Sequence, residues 1–188
     1  NGTASFNPNG EFESLGAGGS QTTTVSVGVQ DTAGNTDTAT YTVTVNGAND
    51  TPSGADSSQN VRINRTVEIA EADFGFTDPD TGDTLASVTI NAIPTDGTLF
   101  IDGSAGGTDD GTLDGETALG NGNTVSQPDI AAGNLLYVTP TTAGDTDTIT
   151  FTVNDGTDPA TASNTLTLNA VAGGGGGGGG GNTGGGTV

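Results

Sequence analysis

Three carboxylates fall within six residues of the stretch Phe74-Gly-Phe-Thr-Asp-Pro-Asp-Thr-Gly-Asp-Thr-Leu85. Asp78, Asp80 and Asp83 are spaced around a Pro/Gly turn between two apolar runs. Side chains so placed can converge on one point, and an all-oxygen set suits a hard cation such as Ca²⁺. The competing reading is three turn formers, each bonding its own backbone. The chain has almost no cationic side chains to neutralise these acids, so the first question is whether a metal ion does.

Composition narrows the function classes. The 188 residues carry 23 Asp+Glu against 2 Lys+Arg, a net charge of −21, and the two cations are Arg62 and Arg65. Nucleic acid is excluded as a partner, because phosphate contacts need a basic patch. Anionic membrane surfaces are disfavoured for the same reason. Such a charge repels itself in the compact state unless counterions bind, and divalent cations outside cells supply them. An extracellular or cell-surface protein therefore has a ready remedy for such a charge.

There is no Cys, His, Met, Trp or Lys. That rules out disulfides and most nucleophile–base pairs, zinc sites and Schiff bases. A carboxylate pair can hydrolyse glycosides, but such clefts are usually aromatic-lined, and Tyr41 and Tyr137 are the only tyrosines. We expect no enzyme and no catalytic residue. No run approaches the ~20 apolar residues of a membrane helix, so no membrane insertion is expected. The sequence begins at Asn1 without a signal peptide, as a processed product or a piece of something longer would.

The elements that must position the acids are strands. Hydrophobic content is only 30%, and disorder is the alternative to weigh. The apolar residues nevertheless cluster in short alternating runs. Residues 24–29 set Val25, Val27 and Val29 on one face, and residues 40–45 set Tyr41, Val43 and Val45 on one face. With a turn at Asp31-Thr-Ala-Gly-Asn35 between them, they predict an antiparallel hairpin with one dry and one wet face. Residues 46–54 break the pattern. Further strands are expected at 66–69, 85–93, 98–101, 135–139, 148–153 and 165–169. Single helical turns are expected at 70–74 and 128–132. The fold class expected is all-β, built of tandem β-sandwiches. The predicted division is a partial β domain at 1–48, a linker at 49–55, a sandwich at 56–171 and a glycine-rich tail at 172–188. Residues 103–123 read as a long surface excursion. The run from Gly173 to Gly181 reads as a flexible tail, or as glycine chains packed in a fibre.

Two family resemblances cover nearly all of residues 1–171. Residues 5–52 carry an Asn-Pro-Asn-Gly turn, Asp31-x-x-Gly-Asn35 and a closing Gly47-Ala-Asn-Asp-Thr-Pro52. As a combination they resemble the C-terminal half of a VCBS repeat of large secreted bacterial proteins. Residues 56–171 carry Ala72-Asp-Phe-Gly-Phe-Thr-Asp-Pro-Asp80, Pro94-Thr-Asp-Gly-Thr-Leu99, Leu136-Tyr-Val-Thr-Pro140 and Phe151-Thr-Val-Asn-Asp-Gly156. They resemble the cadherin-like repeats of very large bacterial adhesins. The resemblance implies Ig/cadherin-like sandwiches in tandem, Ca²⁺ as cofactor and a structural or adhesive role. It places the metal at a domain junction, where the linker offers Asn49 and Asp50 beside Asp78, Asp80 and Asp83, and Asp155 either completes the cage or serves the next junction. Thr81 is inserted where the family has Asp-Pro-Asp-Gly-Asp, which loosens the turn.

A half repeat leaves a sheet edge and an apolar face uncovered. Partners are therefore neighbouring domains or identical subunits completing the half-domain, with surface glycans or other cells as adhesion targets. A carbohydrate- or ice-binding role for the Thr-rich strand faces is a weaker alternative. Asp109, Asp110, Asp114 and Glu116 read as a solvated loop. Asp145, Asp147 and Asp158 read as turn residues, and Asp31 with Asn35 as a side-chain-bonded turn.

Overall fold

The computed structural model describes residues 5–103 and 116–173. Asp109, Asp110, Asp114 and the glycine run from 174 onward lie outside the described residues. The chain is all-β. Strands β1 (Ser20–Gln30) and β2 (Thr36–Asn46) pair antiparallel across their full length. The turn between them is held by Asp31, whose carboxylate accepts the N–H groups of Ala33 and Asn35 and the Asn35 amide, as the sequence suggested.

The next strands are β3 (Ser57–Arg62), β4 (Thr66–Glu68), β5 (Ser87–Ala92), β6 (Thr98–Ile101), β7 (Thr117–Ala118), β8 (Thr124–Ser126), β9 (Leu135–Val138), β10 (Thr146–Asn154) and β11 (Asn164–Val171). They form a five-stranded sheet, β3-β11-β10-β5-β8, and a four-stranded sheet, β4-β9-β6-β7. The two expected helical turns appear, at Glu71–Phe74 and as the short helix α1 (Gln127–Ala131). Ser126 caps α1 through Asp129 N–H, and Pro128 suits its first turn.

One core joins both sheets. Val88, Ile90, Ile149, Phe151, Val153, Leu166 and Leu168 from one sheet meet Leu99, Leu135 and Tyr137 from the other. Ile149, Phe151 and Val153 face inward together, as period-two alternation requires. Phe74 packs edge-to-face on Phe151, ring centres 4.9 Å apart. That is the geometry favoured by the ring quadrupole.

Two expectations need correction. Asp147 is not a turn residue. It lies inside β10, is 2% exposed, and shares the inward face of Ile149. Its carboxylate accepts the N–H groups of Thr95, Asp96 and Gly97 and the Tyr137 hydroxyl. Burial alone would raise its carboxyl, but these donors outweigh it and hold it below the ordinary value. Burial and the bond to Asp147 push the Tyr137 hydroxyl up.

The β1–β2 hairpin, expected from alternation to have a dry face, has one covered only at its base, in line with the uncovered apolar face expected of a half repeat. Phe12, Leu15 and Pro8 of the preceding loop gather near Val45 around a cleft of about 180 Å³. Farther out, Val25, Val27, Val29 and Tyr41 are 37%, 36%, 60% and 61% exposed. Alternation specified which residues share a face, and it is silent on what covers that face.

Candidate metal centre

The linker and the acidic turn are clamped together before either reaches its carboxylates. Ser53 and Thr77 exchange backbone bonds of 2.9 and 2.8 Å, with their hydroxyls 2.9 Å apart. Beyond the clamp, Asp78 Oδ1 accepts Asp80 N–H at 2.8 Å, folding the chain over Pro79. Gly82 has φ +100, a conformation costly for any side chain, and it swings Asp83 back toward Asp78. Leu85, 2% exposed, then anchors the exit in the core.

A second loop arrives from the end of β10. Asp155 Oδ1 accepts N–H from Thr157 at 2.6 Å and from Asp158 at 2.7 Å. The result is that one carboxylate oxygen each from Asp78, Asp83 and Asp155 lies within 4.8 Å of the others. Asp80 sits beside them, 3% exposed, with Oδ2 accepting Asp50 N–H at 2.7 Å. Its Oδ1 is buried with no hydrogen-bond partner, and so is Asp78 Oδ2. Buried carboxylate oxygens rarely go unpartnered.

The charges act on one another. Partial loss of solvent, then the charges of Asp78, Asp80 and Asp155, push the Asp83 carboxyl above its ordinary value. Burial also works against ionisation of Asp155, but the N–H groups of Asp158 and Thr157 and the Asn49 amide outweigh it and lower its carboxyl. Within one cluster, one acid is destabilised as an anion and another is held as one.

The sequence-predicted residues divide into three kinds. Asp78, Asp83 and Asp155 converge, and Asp80 abuts them with a free oxygen. Asn49 reaches the group as a donor: its amide N–H bonds Asp155 Oδ2 at 3.1 Å, Asp158 Oδ2 at 3.3 Å and the Asp50 carbonyl at 2.8 Å. It can ligate a cation only through Oδ1. Asp50 contributes its backbone N–H to Asp80, and its carboxylate lies outside the convergent set.

Two participants escaped the sequence reading, and a third, Asp158, was read only as a turn residue. Asp158 faces Asn49; its place three residues after Asp155 was the available signal. The Ser14 backbone carbonyl accepts Thr81 N–H at 3.2 Å. Gly16 lies so close that a Cβ there would sit 3.3 Å from the Asp80 carboxyl carbon. Thr81, read as loosening the turn, also ties it to the N-terminal loop through its backbone N–H. No residue pattern announces that contact.

The donor set fits a hard divalent cation. Every convergent group is a carboxylate oxygen, and Asp80 Oδ1 and Asp78 Oδ2 are buried without partners, a set that suits the all-oxygen coordination of Ca²⁺. Asp78, Asp80, Asp83 and Asp155 would hold the ion. Among protein-family models no match to this chain was found, and a search of curated proteins found no match either.

Proposed function

We propose that this chain is a non-catalytic extracellular structural or adhesive module of a bacterial surface protein. In this reading, residues 56–171 are an Ig/cadherin-like β-sandwich, residues 1–48 a partial VCBS-like domain, and Ca²⁺ stiffens the joint between them. Its targets are surface glycans or other cells. The observation that carries it is the pairing of three convergent carboxylates with two buried, unpartnered acid oxygens, all against the linker backbone. A cation there offsets the repulsion among four acids and fixes Asp80, which holds Asp50. Extracellular calcium modules commonly bind at about 10⁻⁴–10⁻³ M. The test is calorimetry with millimolar CaCl₂ or excess chelator. Calcium raises the melting temperature and Asp80→Asn reduces that rise; melting unchanged by chelation would sink the proposal.

A second reading is favoured by the bare face of the hairpin. Val25, Val27, Val29 and Tyr41 face solvent on a sheet that has two strands and two open edges among the described residues, an arrangement that invites pairing. The chain is then a self-assembling fibre subunit whose half-domain is completed by a neighbouring copy. Sedimentation over a concentration series decides it, since a chain that stays monomeric and folded is no fibre subunit.

A further inference from the structure

The only two cationic side chains of the molecule stand together and unused. Arg62 ends β3, and Arg65 follows one short turn later. Thr139 fastens that turn from both sides: its hydroxyl accepts Arg65 N–H at 2.9 Å and lies 2.9 Å from the Arg62 carbonyl. Asn64, at φ +53, donates to the Pro140 carbonyl. The backbone is thus held while both guanidinium groups are exposed. Among the described residues neither has an ion-pair partner; Arg65 touches only the Asn64 carbonyl, at 3.4 Å. In a chain with 23 acids, leaving both unpaired points to a partner outside the chain. Beside Arg62 in register lies Val171, 37% exposed.

The tip of the β1–β2 hairpin carries the complement. Asp31 and Asp37 flank it, and Val29, 60% exposed, stands opposite Asp37 in register. The Asp31 bonds to Ala33 and Asn35 keep the tip in shape. Apart from Asp37, β1 and β2 contain no charged residue. A second copy can therefore approach along the hairpin with little of the repulsion that a net charge of −21 imposes elsewhere.

We propose that the hairpin tip of one copy docks on the Arg62–Arg65 turn of a second copy. Asp31 and Asp37 pair with the arginines, and Val29 meets Val171. This rests on the self-assembly reading and names its contact. The two patches differ, so the contact is head-to-tail and generates an open filament rather than a closed dimer. Exposed ion pairs are weak and screened beyond ~10 Å at 0.1 M salt. The same salt screens the repulsion between two chains of net charge −21, so association depends on salt in both directions.

The test uses the full chain in sedimentation velocity, at low and high salt, with two charge-reversed variants. One is Arg62→Glu with Arg65→Glu. The other is Thr32→Lys with Asp37→Lys, which spares the Asp31 turn. All four positions are exposed, and melting curves confirm that each variant is folded. Wild type associates at one or both salts, and each variant alone associates at least about tenfold more weakly under the same conditions. An equal mixture of the two recovers association, because each tip then meets a pole of opposite charge. Association of the arginine variant undiminished overturns this contact and leaves self-assembly standing. Loss in both variants without recovery on mixing also overturns the pairing. A wild type monomeric throughout overturns both readings, including the outcome in which its arginines instead bind an acidic polysaccharide such as alginate.

Discussion

Asp83 and Asp155 share a cluster, yet their protons respond in opposite directions. The folded-state carboxyl of Asp83 lies above the unfolded value of 3.8, so the folded chain binds that proton more tightly than the unfolded chain. Its contribution favours folding at low pH and is lost as pH rises through the folded value. Without metal, Asp83→Asn should therefore melt higher than wild type at neutral pH. With calcium the order should reverse, because a ligand has gone. A pair of melting curves for each protein, with chelator and with CaCl₂, checks both signs.

Asp147 runs the other way. Its folded carboxyl lies below 3.8, so its contribution is complete above that value and drains as pH falls through the folded one. Asp147→Asn keeps the shape but turns one of the two acceptor oxygens into a donor: in place of Oδ1 it faces the N–H groups of Thr95 and Asp96, in place of Oδ2 that of Gly97. It should cost roughly 3 kcal/mol at neutral pH, where buried bonds to a charge are worth about 1.5–3 each. It should also flatten the loss of stability below about pH 4. Tyr137→Phe, which leaves the backbone donors in place, should cost about 1–2 kcal/mol. Urea titrations across pH measure all three.

For the strands, most of the fold was legible. Every predicted strand exists, because alternation of β-branched and polar residues is local and period two is hard to mistake. β3 was not foreseen: Ser-Ser-Gln-Asn-Val-Arg offers only Val61 to the core, and its pairing with β11 pins it in place. β7 and β8 are two and three residues long, too short for any period to show. The acidic turn was legible from its spacing, whereas Asp158, Ser14 and Gly16 meet it only through the folded path. At Gly47 that path is tight: a Cβ would sit 2.0 Å from the Leu15 carbonyl oxygen and 2.4 Å from that of Gly16. Backbone oxygens cannot swing aside. Gly47→Ala should lift the N-terminal loop off the hairpin base and off Thr81, while the two-sheet core melts as before. Limited proteolysis should then cut within residues 5–19 faster than in wild type.

The whole molecule carries its charge as a general penalty and a local one, and ions separate them. Monovalent salt screens the general repulsion and should raise the melting temperature gradually. Calcium should act at far lower concentration and saturate, with magnesium weaker because it demands regular octahedral coordination. Equal responses to all three salts would leave only the general effect.

One feature of the larger sheet bears on tension. β3 and β11, the first and last strands of the two-sheet unit, are neighbours and run parallel through six registered residue pairs. The chain therefore enters at Ser57 and leaves at Val171 from opposite ends of the same ladder. A pull along the chain slides these strands past each other lengthwise and loads their bonds together. A hairpin pulled at its open end instead yields one bond after another, like a zipper. The unit is wired to resist stretching, and under an optical trap it should break abruptly at high force, with β3 and β11 parting first.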